Sequence, residues 1–206
     1  MIKGLSIPVF GKYTFTPTTH AVAYSDGMIN PKAVSYSVAV EAGENNPAYA
    51  DNGVAENDRP KFASGTVTLE TDDLTQDLSK WLLGLKEYTR TVGSGSVTSL
   101  IYDDDQKGLT VGFGIIEEHQ INDVDKYKAV ILKKVTFNVP ADAATTRGAS
   151  VSWQTKTIEG VIERSEEEVA ASSPAPAIMH PWKEEAWFDT ESAALAFLKS
   201  MLGVQS

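Results

Sequence analysis

The chain has 206 residues, enough for one domain with a sizeable core. With no cysteine it can form no disulfide, no thiolate zinc site and no cysteine nucleophile, and such a chain suits assembly in a reducing cytoplasm. A formal net charge of −10 argues against tight nucleic-acid binding, yet suits a surface past which a polyanion slides without sticking.

No apolar run approaches the ~20 residues that span a bilayer, so no membrane anchor is expected. The opening MIKGLSIPVFGKYTF lacks the apolar core and small-residue cleavage site of a signal peptide. Residues 2–15 mix β-formers with Gly4, Pro8 and Gly11 and read as one or two short strands. Residues 21–24 read as a strand that ends at the Asp26-Gly27 turn signal. Residues 32–41 alternate, which predicts a half-buried strand with Val34, Tyr36, Val38 and Val40 inward. Residues 42–60 are rich in Gly, Asn, Asp and Pro and read as a long loop, a length that usually means function or disorder.

Residues 61–70 alternate again, with Ala63, Gly65, Val67 and Leu69 on one face. Asp72 or Asp73 then caps a predicted helix of about three turns. Its apolar stripe is Leu74, Leu78, Trp81, Leu82 and Leu85, and Gly84 is its terminator. Residues 91–96 read as a Gly/Ser turn. Residues 97–102 and 109–117 read as a hairpin around the charged turn at 103–108. Residues 126–139 carry apolar side chains on both faces, so that strand is covered on both sides, with a neighbouring subunit as one candidate cover. Residues 149–164 read as a further long strand.

From Glu163 the composition turns acidic and then rich in Ser, Pro and Ala, as in a linker. Asp189 is the expected cap of a C-terminal helix striped by Ala194, Leu195, Leu198, Met201 and Leu202, with Gly203 at its end. That stripe has to dock, on its own sheet or on a neighbour. The resulting division is a β-sandwich or partly open antiparallel barrel with one flanking helix over 1–164, a linker over 165–180 and a helical appendage over 181–206.

Residues 43–164 resemble the major tail proteins of long-tailed, non-contractile bacteriophages. The resemblance rests on Ala48-Tyr49-Ala50-Asp51-Asn52-Gly53 and on Ser64-Gly65-Thr66-Val67-Thr68-Leu69-Glu70 with Asp73-Leu74. Lys126-Tyr127 and Thr155-Lys156-Thr157-Ile158-Glu159-Gly160 before Arg164 complete it. It implies a structural virion protein whose rings, typically hexameric, stack into a tail tube through which DNA passes into the host. Assembly would take place in the host bacterial cytoplasm. The implied partners are further copies of the chain, with tape-measure and tail-terminator proteins. The 42–60 loop would bridge to an adjacent subunit or ring through Tyr49, Asp51, Asn52, Val54, Asn57 and Arg59, with Tyr49 as its anchor.

Other chemistry finds little support. His20, His119 and His180 share no metal-ligand spacing. His119 follows Glu117-Glu118, an acid–histidine pair capable in principle of proton transfer, but it reads better as an exposed polar strand end. Asp103-Asp104-Asp105 opens like a calcium loop but lacks the Gly and Glu at the required positions. Ser94 has no nucleophile-elbow context, and no Gly-rich stretch carries a P-loop Lys. No catalytic set, cofactor or metal is expected. Two readings stand beside the tail tube: a monomeric sandwich that binds a ligand such as carbohydrate through exposed Tyr and Trp, and a secretion-system tube protein of the same fold.

Overall fold

The computed structural model describes residues 1–30, 32–58, 60–146 and 153–205, with the backbone alone for 48–50 and 53–58. The elements are β1 (Ile2–Thr16), β2 (Ala21–Ile29), β3 (Ala33–Ala42), β4 (Asn46–Ala50), β5 (Gly53–Asp58), β6 (Phe62–Thr71), α1 (Gln76–Leu83), β7 (Lys86–Val92) and β8 (Gly95–Ile101). They continue with β9 (Thr110–Ile121), β10 (Val124–Phe137), β11 (Lys156–Glu163), β12 (Glu168–Val169), β13 (Ile178–Met179), β14 (Lys183–Phe188) and α2 (Glu191–Met201). The fold is mainly antiparallel β and sandwich-like, with 56% strand, 10% helix and a C-terminal helix.

The main sheet runs β2-β1-β9-β10-β11-β6-β3, and β14 joins it on β10. Residues 127–132 of β10 pair with β14 and residues 134–137 pair with β11, so the sheet forks at Lys133. The period-two patterns explain the core. Val67 and Leu69 of β6 meet Val111, Phe113 and Ile115 of β9, Val130 and Leu132 of β10, and Leu78, Leu82 and Leu83 of α1. On the reverse face, Val9, Ile116, Ala129 and Ile131 lie under Ala194 and Leu198 of α2 and Leu202 at its C-cap.

β10 therefore buries both faces, as its sequence predicts, and the second cover is the chain's own C-terminal helix. The seat for that helix is cut by glycine. A Cβ at Gly11 would stand 2.2 Å from the carbonyl oxygen of Leu202. The segment read as an appendage thus supplies a strand to the main sheet and a lid to one of its faces.

Further expectations change. α1 is capped by Thr75, whose hydroxyl accepts from the N–H of Leu78 at 3.3 Å, and not by Asp72 or Asp73. The delay has a cause: Thr71 donates to the Lys32 carbonyl and Asn30 donates to Thr71, which holds the chain extended past Asp72. Leu74 and Leu85 consequently flank the two-turn helix, while Gly84 ends it at φ 66°. α2 is likewise capped by Thr190, one residue after Asp189, and Asp189 pairs with Lys126. β3 is an edge strand with register shifts near both ends, so Tyr36 and Val38 face inward while Val34 and Val40 lie exposed.

The expected 97–102/109–117 hairpin does not form. β8 pairs with β7 across a turn opened by Gly93 at φ 63°, and β9 is taken by β1 and β10. β11 begins only at Lys156; residues 149–152 of the predicted strand lie outside the described residues.

The linker-like stretch 165–180 is an ordered strap. Ser165 is buried, Glu166 accepts from Tyr13 and Lys134 at 2.6 Å each, and β12 pairs with β13. Trp182, just beyond, stacks on Phe62 with centroids 4.5 Å apart and planes 2° from parallel.

Candidate assembly surfaces

The predicted bridging loop is a β-hairpin. β4 and β5 pair with each other and with no strand of the main sheet among the described residues. Asp51 and Asn52 sit at its tip with φ of 49° and 61°, the two positive values that a tight hairpin turn requires and that Asp and Asn tolerate. Tyr49 stands opposite Val54, and Asn57 opposite Pro47. Tyr49, Asp51, Asn52, Val54 and Asn57 are therefore brought onto one hairpin. Arg59 lies outside the described residues.

A second hairpin, β7–β8, also stands apart from the main sheet. Its register pairs Tyr88 with Ser99, Arg90 with Val97 and Val92 with Gly95, which puts Tyr88, Arg90, Val92 and Val97 on one face. All four are exposed, and the Arg90 guanidinium lies 5.1 Å above the Tyr88 ring. The root is firm, because Leu85 is buried and Leu100 packs on the main core. Sequence reasoning missed this surface. The alternation of Tyr88, Arg90 and Val92 before Gly93-Ser94-Gly95 is the signal that could have found it.

The two hairpins leave opposite ends of β6, one before Phe62 and the other after the helix that follows Thr71. The edges of the sheet add to them. Among the described residues, β3 pairs only with β6 and β14 only with β10.

A third surface lies at the turn between β9 and β10, where Asn122 and Asp123 have φ of 50° and 63°. The inner face of these strands runs past the opposite layer. Tyr36 of β3 reaches Glu117 and marks the last cover. Beyond it, Ile2, Ile121, Val124 and Trp187 are 60, 45, 54 and 51% exposed. The register sets Ile2 beside His119, Ile121 beside Val124, and Trp187 beside Lys128, all on this face.

The floor of the ledge is a polar cluster. Glu117 accepts from Tyr36, stands 2.6 Å from the Lys128 ammonium and 2.9 Å from His119 Nε2. Burial alone would push its carboxyl up, but the bonds from Lys128, Tyr36 and His119 hold it below the usual carboxylate range. Tyr36 is pushed up, first by burial and then by Glu117.

His20 and His180 flank one carboxylate, Glu168, at 3.4 and 3.3 Å, and so tie the strap to the β1–β2 turn. Asp103 and Asp105 face Lys86. Among the described residues no group of three or more His, Cys, Asp or Glu is placed to hold a metal ion, and no helix is long and apolar enough to cross a membrane. No family model matches this chain, and none of the curated proteins matches it.

Proposed function

We propose that the chain is a structural subunit that assembles with copies of itself into stacked rings and a tube, as in a bacteriophage tail, with a lumen along which DNA passes without specific binding. The observation that carries this reading is the pair of hairpins projecting from opposite ends of β6, each unpaired with the main sheet among the described residues. A two-stranded ribbon alone is marginal in water and gains by packing on a partner. Strands paired on one side only invite the next copy, and a head-to-tail contact closes into a ring when its rotation allows. The net charge of −10 suits a wall that repels phosphate. The resemblance to phage major tail proteins agrees in kind, and adds tape-measure and tail-terminator proteins as further partners and the virion tail as the location. A secretion-system tube would use the same mechanics.

Light scattering and electron microscopy of concentrated protein test the reading: rings or tubes are expected, and compact monomers at every concentration would refute it. Deleting residues 48–57 removes the β4–β5 hairpin and should leave a folded chain that cannot polymerise into tubes. One observation favours a ligand-binding monomer instead. Trp153 is 90% exposed and lines an open cleft of about 710 Å³ with Asp72, Asp73 and Gln154, a set suited to a sugar face and its hydroxyls. Saturable oligosaccharide binding that Trp153→Ala abolishes, in a chain that stays monomeric, would establish that second reading.

A further inference from the structure

We infer that the exposed face of the β7–β8 hairpin of one copy docks on the ledge at the β9–β10 turn of a second copy, a contact that rests on the self-assembly reading and specifies its surfaces.

The two surfaces match in character. The hairpin offers Tyr88, Val92 and Val97, each more than half exposed, and the ledge offers Ile2, Ile121, Val124 and Trp187. A contiguous apolar patch rimmed by polar groups marks an interaction site. The charges match as well. Arg90 pairs with no carboxylate among the described residues, whereas its neighbours Lys86 and Glu87 are paired with Asp103 and Lys80. Asp123, at the tip of the ledge, pairs with no cation among the described residues, whereas Asp125 and Asp189 are paired with Lys3 and Lys126. An unpaired cation in the middle of one apolar face and an unpaired carboxylate at the tip of the other give the contact a register.

Position makes the contact intermolecular. The hairpin is rooted beside α1, whose Leu82 carbonyl accepts from the N–H of Leu109 at 2.9 Å, next to the start of β9. The ledge is at the other end of that 12-residue strand, about 40 Å away at roughly 3.4 Å per residue. One copy cannot close the contact on itself. Two different surfaces at opposite ends give a head-to-tail joint, which propagates.

The joint predicts a mixing experiment on the full chain, read by sedimentation. Val97→Asp disables the hairpin and leaves the ledge, and Val124→Asp does the reverse. Each variant alone should stay monomeric, with far-UV dichroism and thermal midpoint like those of the parent, since both positions are more than half exposed. An equimolar mixture should give dimers and nothing larger, because only one productive joint can form. Arg90→Gln and Asp123→Asn offer a gentler pair that keeps the turn chemistry. Each should weaken self-association about five- to tenfold at low salt, and the double variant no further. If the parent assembles and both Asp variants assemble equally well, or their mixture stays monomeric, this joint is wrong while self-assembly stands. A parent that remains monomeric up to its solubility limit overturns both.

Discussion

The Tyr36 hydroxyl of β3 donates to the Glu117 carboxylate of β9 and so bolts the two layers of the sandwich together where the ledge begins. Lys128 and His119 complete the shell of Glu117, whose side chain is 7% exposed. Tyr36→Phe should cost about 1.5–3 kcal/mol at neutral pH, the range for a hydrogen bond to a buried charge. The cost should also depend on pH. Glu117 has a lowered folded-state pKa, so its contribution is complete above the unfolded carboxylate value, about 4.3, and is lost as pH falls through the lower folded value. Urea unfolding of the parent and the variant should therefore differ by the full amount above about pH 4.3 and draw together as pH falls below it. A pH-independent gap would mean that the tyrosine only fills space.

The lid formed by α2 should be separable from the main core. Leu198 is fully buried against the reverse face of the sheet, and Leu198→Ala should cost about 2–5 kcal/mol through the cavity it leaves. Gly11→Ala attacks the same seat from below, since its Cβ would stand 2.2 Å from the Leu202 carbonyl oxygen. Both variants should speed amide exchange across residues 191–202 more than across β6 and β11, which belong to the other cluster. Uniform acceleration over the whole chain would show that lid and core unfold as one unit.

What could be read from the residues themselves was whatever is decided locally. The alternation of Gly65, Val67 and Leu69 gave the buried face of β6, although Ala63 at its start is exposed, and Gly84 ended α1, because side-chain period and φ are properties of neighbouring residues. Pairing is not local. Two turn signals, at 93–95 and at 103–108, competed for the strand at 97–102. β9 was unavailable to it because residues from the start of the chain occupy that edge. Composition misled at 165–180, where Glu166 finds Tyr13 and Lys134, partners far away in sequence. The ledge was illegible for a similar reason. Ile121 and Val124 look like interior residues of a long hairpin, and only the point at which the opposite layer stops, at Tyr36, leaves them bare. The candidate bridging residues are neighbours in sequence, and all but Arg59, which lies outside the described residues, fall on a hairpin whose geometry turns on the positive φ of Asp51 and Asn52.

The strap should come loose before the sheet does. Trp182 is stacked at its end against Phe62, and the strap's other ties include the hydrogen bonds of Ser165 and Glu166 and the pair of histidines at Glu168. Trp182→Ala removes the stack and should lower stability by at most about 3 kcal/mol. Limited proteolysis should then cut within residues 165–180 in the variant under conditions that leave the parent whole. Protection equal to the parent's would assign the strap's hold to its polar ties alone.

Two changes in α1 separate stability from position. Thr75→Ala removes the cap that accepts from the Leu78 N–H and should cost about 1 kcal/mol while leaving the far end of the helix in place. Gly84→Ala acts at that far end. There the backbone is left-handed at φ 66°, and a Cβ would stand 2.1 Å from the carbonyl oxygen of Lys107, a backbone atom that cannot swing aside. The chain has to shift between Leu83 and Lys86, which is the root of β7. The β7–β8 hairpin should then be displaced relative to the sheet. At a temperature well below both midpoints, Thr75→Ala should self-associate like the parent, whereas Gly84→Ala should lose most of its assembly. Equal assembly by the two variants, compared by sedimentation at matched concentration, would show that the placement of this hairpin does not govern how copies join.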